Sequence, residues 1–259
     1  HAPPRLCANC TYRRTLCATL KTTEIMISPY DKEYKETKKI MQGKASMLPE
    51  FKELANWIDS TFDVKTINII FDFLEKEQPR LNICFETSYE QSKFRASDEF
   101  NLDSEKQKLI SQKFIATDIW NKIKAEKKEK TFWGQPCKSK TLSDNVWVYY
   151  SAFQPIAMWE ANESIPQSKI DELKKHLNNP DIWEISRAFR EVTFFLYTDQ
   201  KMREYENSTS VKVWADKYFN LLDQFNEFKY YKPDCFSVFL DSKENFDNNY
   251  ESNWYYYYK

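Results

Sequence analysis

Residues 80–94 have the sequence RLNICFETSYEQSKF, and residues 191–205 have the sequence EVTFFLYTDQKMREY. Few residues are identical between the two stretches, so the match is one of apolar and polar pattern. The order of elements around each stretch is helix, paired strands, helix, paired strands. This repeated order predicts an internal duplication of a helix-hairpin-helix-hairpin unit.

The first of these stretches belongs to a longer alternating segment, residues 64–87. Apolar side chains recur there at every second position on both sides of the polar sequence EKEQP, as Ile67, Ile69, Phe71 and Phe73 and then Leu81, Ile83 and Phe85. Side chains two residues apart lie on the same face of a strand. The segment therefore predicts an antiparallel hairpin with one apolar face.

Helices are predicted where apolar side chains recur every three or four residues. These segments are residues 48–63, 104–128 with Ser104 as its capping residue, 168–179 and 210–225. Further strands are predicted in residues 145–162, in 181–199 and in the aromatic stretch that follows Cys235. Strands in adjacent pairs predict the α+β class, a mixed α/β chain with a mostly antiparallel sheet and helices on one face.

Composition predicts the boundaries of the parts of the chain. Residues 1–25 hold three of the six cysteines and lack an apolar core, which indicates a leader that is either foreign to the native protein or loosely ordered. Residues 26–160 form the first predicted half and residues 169–259 the second. The small polar residues of 161–168 suit a connector, although the two halves are also compatible with one continuous domain.

Charge and residue usage exclude several classes of function. The formal net charge is -1, so the chain has no positive field that would gather nucleic acid. Only two glycines and two histidines occur, and phosphate-binding loops need clustered glycine, so no cofactor is predicted. A mean hydropathy of -0.75 argues against a membrane protein. The single cysteines Cys84, Cys137 and Cys235 indicate reduced, buried thiols and a cytoplasmic location.

Carboxylate pairs are candidates for catalytic or metal-binding groups. Asp234 and Asp241, followed by Lys243, resemble a nuclease signature, but an extended strand would separate the two carboxylates too widely to share an ion. Asp72 and Glu86 lie on the solvent side of the predicted hairpin. In the leader, Cys7 and Cys10 have zinc spacing without a second pair. The sequence therefore predicts no catalytic residue and no metal site.

The candidate binding site is the aromatic and acidic C-terminal region, which is predicted to be the last strand of the second half. Alternation along a strand would place Trp254, Tyr256 and Tyr258 on one face and Tyr255 and Tyr257 on the other. Aromatic side chains provide large contact areas in protein interfaces, and carboxylates attract basic partners. The predicted binding residues are Trp159, Asp247, Glu251, Trp254, Tyr255, Tyr256, Tyr257 and Tyr258.

These residues predict a non-catalytic cytosolic binding protein that captures a basic protein partner, as a toxin-neutralising immunity protein does. Neither a nucleic-acid partner nor a membrane is expected. Two other classes are left open by the sequence. One is an enzyme with a carboxylate-based or metal-based site between the two halves, and the other is a carbohydrate or nucleotide binder that uses exposed Trp and Tyr side chains.

Overall fold

The computed structural model describes residues 27–74, 78–98, 101–129 and 144–259. The predicted leader, residues 1–25, and Cys137 lie outside the described residues. The chain divides into two compact units, Ile27–Ile156 and Ala157–Lys259. Each unit consists of helices and one small sheet, which confirms the predicted α+β class.

The N-terminal unit contains a three-stranded sheet. Its elements are α1 (Lys32–Met41), α2 (Lys52–Phe62), β1 (Thr66–Phe73), β2 (Pro79–Phe85), α3 (Ser88–Ser92), α4 (Ser104–Ile115), α5 (Asp118–Glu129) and β3 (Trp147–Ala152). The predicted hairpin is confirmed, since β1 and β2 pair antiparallel. After the helices the chain returns as β3, which pairs parallel with β2 in the order β1-β2-β3.

The C-terminal unit contains a sheet of the same strand order. After α6 (Phe153–Glu163), which spans the boundary between units, come α7 (Gln167–Leu177), β4 (Ile182–Ala188), β5 (Glu191–Leu196), α8 (Asp199–Glu206), α9 (Thr209–Leu222), β6 (Phe239–Ser242), α10 (Lys243–Tyr250) and α11 (Trp254–Tyr257). Here β4 and β5 pair antiparallel, and β5 and β6 pair parallel. Each sheet is therefore mixed, and the prediction of a mostly antiparallel sheet is wrong.

The main core of each unit lies against one face of its sheet. In the N-terminal unit, Leu81, Ile83 and Phe85 of β2 pack in one apolar cluster with residues of α2, α4 and α5. In the C-terminal unit, Phe194 of β5 packs with Trp214 and Tyr218 of α9. These faces carry the alternating apolar residues that identified the strands.

The opposite face of each sheet is also covered, so the prediction of helices on one face only is wrong. Asn68 of β1 donates a hydrogen bond of 3.1 Å to Thr37 of α1, which places α1 on the face away from the main core. In the C-terminal unit, Phe195 contacts the rings of Phe246 and Trp254, which places α10 and α11 there.

Three predicted elements differ from the structure. The predicted helix 104–128 is two helices, and Asp103 is the N-cap of the first. The Thr117 hydroxyl bonds the Phe114 carbonyl at the break between them, which favours the end of the first helix. The predicted strands in residues 153–162 and 247–258 are helices α6, α10 and α11, with a turn between the last two. None of the described helices is long and apolar enough to cross a bilayer.

Candidate functional site

The C-terminal aromatic stretch forms a tight turn and a short helix. Glu251 and Ser252 have φ values of 56° and 52°, and this left-handed pair ends α10 and reverses the chain. The Asn253 side chain then accepts a hydrogen bond from the Tyr255 N–H and caps α11. Asn is among the preferred N-cap residues, and here it overrides the strand preference of consecutive tyrosines.

One side of α11 is packed on the outer face of the C-terminal sheet. Trp254 stacks parallel to Trp183 of β4 at 5.9 Å between ring centroids and lies 4.2 Å from the Phe246 ring. Tyr257 contacts the Phe195 ring at 5.1 Å. We call this group the aromatic cap, and its members are Trp183, Phe195, Phe246, Trp254, Tyr257 and Tyr258.

Two hydroxyl groups of the aromatic cap add polar contacts to the packing. The Tyr257 hydroxyl donates a hydrogen bond of 2.6 Å to a carboxylate oxygen of Asp241 in β6. The Tyr258 hydroxyl lies 2.6 Å from the Ser186 hydroxyl of β4. Rings and hydroxyls together hold α11 in one orientation on the sheet.

The other side of α11 faces solvent. Tyr255 is 67% exposed and Tyr256 is 47% exposed, and their rings lie 5.7 Å apart. The Lys259 ammonium group lies 5.6 Å from the Tyr255 ring centroid, within cation–π range. Trp254 is 36% exposed beside them. The predicted division by strand alternation is wrong, because a helix brings residues three and four positions apart to one face.

The predicted acidic residues differ in their surroundings. Asp247 bonds the Lys243 ammonium group and accepts a hydrogen bond of 2.7 Å from the Ser252 hydroxyl. The bond from Lys243 is the main reason why the pKa of Asp247 lies below its usual value. Glu251 is exposed at the turn between the two helices. Asp247 therefore holds this turn together, and Glu251 provides the exposed charge beside α11.

Trp159 lies elsewhere in the C-terminal unit. It is a half-buried residue of α6 whose ring packs edge-on against Phe189, at the turn between β4 and β5, at 5.0 Å. No ring contact among the described residues joins it to α11. Its position indicates a packing role at the hairpin turn.

The two hairpin carboxylates considered for catalysis, Asp72 and Glu86, have structural partners. Asp72 pairs with Arg80, which also contacts Glu33 of α1 at 3.0 Å. Glu86 instead bonds Lys65 at 3.0 Å, which raises the pKa of the lysine. Among the described residues, no three His, Cys, Asp or Glu side chains converge to hold a metal ion.

A buried polar cluster under α1 was not predicted from the sequence. The Ser151 hydroxyl donates a hydrogen bond of 3.0 Å to Asn82, and Asn68 bonds Thr37 on the same face. Cys84 is buried among these groups, and burial raises the pKa of its thiol to about 11. The sequence predicted that Cys84 is a buried thiol, and this is confirmed. Asp72 and Glu86 of the same hairpin indicated a solvent face, so the cover that buries the polar residues was missed.

We expect Cys84 to resist alkylation in the native protein. An unperturbed thiol is roughly a quarter ionised at pH 8, whereas a thiol of pKa about 11 is about one part in a thousand ionised. Labelling with iodoacetamide at pH 8, followed by peptide mass spectrometry, should modify Cys84 on the order of a hundredfold more slowly than the exposed Cys235. Equal rates in the native protein would contradict this burial, and unfolding in guanidinium serves as the positive control.

Comparison of the chain with protein-family models, curated proteins and solved structures finds no match. Inference about function therefore depends on the residues described above. Among these, the exposed side of α11 combines adjacent aromatic rings with an exposed carboxylate.

Proposed function

We propose that this chain is a non-catalytic cytosolic protein that captures a basic protein partner through the exposed side of α11. We call this region the α11 surface and define it by Glu251, Tyr255 and Tyr256. The observation that carries the proposal is the pair of exposed tyrosine rings on a helix whose other side is packed against a sheet.

Fixed presentation of the two rings favours binding. Trp254 and Tyr257 hold α11 on the sheet through ring contacts with Trp183 and Phe195. Ordering a flexible segment on association costs free energy, and a segment that is already ordered avoids this cost. Tyrosine also loses little rotamer freedom for the area it buries, and it is enriched in interface hot spots.

Charge supports a basic partner. Residues 234–259 contain five Asp and Glu residues against two lysines. The Lys259 ammonium group already lies over the Tyr255 ring, so this ring can accept a cation. A partner rich in Lys or Arg would gain a cation–π contact with this ring and ion pairs with the carboxylates. The carboxylates would also steer the encounter. We include in the proposal that the partner is a basic toxin, which this chain neutralises as immunity proteins do.

The test is a double variant, Tyr255→Ala with Tyr256→Ala. A hot-spot side chain contributes about 2 kcal/mol or more to binding, so the affinity for the partner should fall at least ~30-fold even if only one of the two tyrosines is a hot spot. The partner is recovered from the cytosol of the source organism with immobilised wild-type protein, purified, and titrated against each variant by calorimetry.

The matched control is Tyr197→Ala, because Tyr197 is 50% exposed in the same unit but lies outside the α11 surface. Its affinity should equal that of the wild type. If the double variant binds every purified partner as tightly as the wild type does, the α11 surface is not the binding site.

We also infer that the two units descend from one duplicated unit. Both contain a helix, an antiparallel hairpin, two or more helices and a third strand in the same order. A helix follows the third strand in each case, α6 at the boundary between the units and α10 in the C-terminal unit. In both, the second hairpin strand lies in the centre of the sheet and pairs parallel with the third strand. The repeating unit ends in one strand and a helix, and not in the second hairpin expected from the sequence.

Local details support the duplication. Three features recur at matching places: a left-handed residue after the helix that precedes the hairpin, an irregularity at the start of the hairpin, and a threonine N-cap two residues after the central strand. They are Asp63, Thr66/Asn68 and Thr87 in one unit, and Asn178, Ile182/Glu184 and Thr198 in the other. The alignment of residues 80–94 with 191–205 superimposes the two threonines, so pattern and structure agree in register.

A further inference from the structure

Strand β3 is the last strand of the N-terminal sheet among the described residues. It pairs with β2 along one edge, in the order β1-β2-β3. Its sequence, WVYYSA, contains no charged residue and no proline, and its aromatic and β-branched residues favour strands. An edge of this composition is a template for pairing with another strand unless something closes it.

Two glutamine side chains bond the outer edge of β3. The Gln107 amide of α4 donates a hydrogen bond of 2.6 Å to the Val148 carbonyl. The Gln91 amide of α3 donates one of 2.9 Å to the Tyr150 carbonyl. Since β2 occupies the inner edge, helices α3 and α4 reach these carbonyls from the outer edge.

The spacing of the two bonds matches that of strand pairing. Carbonyls two residues apart along a strand point to the same edge, and a neighbouring strand would supply N–H groups to both. The two glutamine amides therefore occupy the places of two backbone donors. An open groove of about 680 Å³, lined in part by Gln107, Ser111 and Val148, runs beside this edge and leaves room next to it.

The matching place in the C-terminal unit has no such donor. Counted from the threonine N-caps, the residue of α8 that corresponds to Gln91 is Met202, which packs against the apolar core. The helix after the central strand thus forms without a glutamine at this position. The fold therefore does not require a glutamine at this position, and Gln91 has a more specific role.

We propose that Gln91 and Gln107 close the outer edge of β3 against strand addition by a second copy of this chain. Antiparallel pairing of two β3 strands about Tyr149 would place Val148 of one copy opposite Tyr150 of the other. This isologous arrangement uses both carbonyls that the glutamines occupy, on both copies. The glutamines satisfy these carbonyls internally, which removes the gain from association.

The test is the double variant Gln91→Ala with Gln107→Ala, which removes both donors and the side chains that cover the edge. We expect its weight-average mass, measured by analytical ultracentrifugation, to rise with concentration to about twice the wild-type value. In the associated form, hydrogen exchange of the β3 amides should be slower than in the wild type, because a second strand then protects them.

The control is Gln112→Ala, an exposed glutamine of α4 that lines the same groove. It should keep the wild-type mass. A double variant that retains its near-UV circular dichroism and the wild-type mass would overturn the proposal, and so would association with faster exchange in β3. If the double variant loses its near-UV signal, the single variant Gln91→Ala is judged by the same two measurements.

Discussion

Phe246→Ala should lower the free energy of unfolding of the C-terminal unit by about 3–5 kcal/mol, the usual cost of removing a buried phenylalanine ring. Phe246 is 3% exposed and lies at the centre of the aromatic cap. Its ring contacts those of Trp183, Phe195 and Trp254, at 4.2 to 6.1 Å between centroids. The cavity left by alanine would remove the common support of β4, β5 and α11.

Guanidinium unfolding measures the loss, and hydrogen exchange of residues 182–196 assigns it to the C-terminal unit. The same variant should weaken partner binding, because α11 loses the packing that orients Tyr255 and Tyr256. The control Tyr255→Ala removes an exposed ring, and its effect on stability should stay within about 0.5 kcal/mol. A loss below about 1 kcal/mol for Phe246→Ala would mean that the aromatic cap is loosely packed and does not fix the α11 surface.

Phe85→Ala should destabilise the N-terminal unit by a similar amount, about 3–5 kcal/mol. Phe85 ends the central strand β2, is fully buried, and stacks on Phe94 at 4.8 Å between centroids. Phe94 in turn stacks on Tyr150 of β3 at 4.5 Å. Alanine at residue 85 would remove one ring of this stack and leave a cavity between the sheet and Phe94.

The companion variant Phe85→Leu tests the duplication. In the aligned register Leu196 holds the place of Phe85, with Phe85 opposite Ala152 and Leu196 opposite Ser242 at the ends of their sheets. If the two positions are equivalent, leucine should cost less than about 1.5 kcal/mol. Urea unfolding with hydrogen exchange across residues 66–85 measures both variants. Equal losses for leucine and alanine would argue against the equivalence.

Periodic patterns predicted the first hairpin and the helices near residues 48–63 and 210–225, all of which form. In the first of these helices, Pro49 begins a 3-10 turn, Pro49–Phe51, that leads directly into α2. The side chains responsible are regularly spaced along a short segment, so their pattern depends on the local backbone alone. The C-terminal stretch was mispredicted because four tyrosines favour a strand, whereas capping by Asn253 and ring contacts distant in sequence stabilise a helix.

The sequence predicted which segment holds the candidate site, but it did not predict which side chains of that segment face solvent. Tyr255 and Tyr256 were predicted as binding residues, yet which rings would be exposed depended on the element that carries them. Contacts with Trp183 and Phe195, about 60 to 70 residues earlier in the chain, decide this question. The polar face under α1 escaped detection for the same reason, because polar residues in a strand do not show whether a helix covers them.

The sequence by itself determined the α+β class, the position of the hairpin strands, the repeated pattern of residues 80–94 and 191–205, and the aromatic and acidic character of the C-terminal region. Only the tertiary structure decided that β3 and β6 pair parallel, that both faces of each sheet are covered, and that Tyr255 and Tyr256 face solvent. The physical reason is that the spacing of apolar residues depends only on the backbone geometry of the element that carries them. Strand direction and the identity of the covering element arise from contacts between segments far apart in the chain.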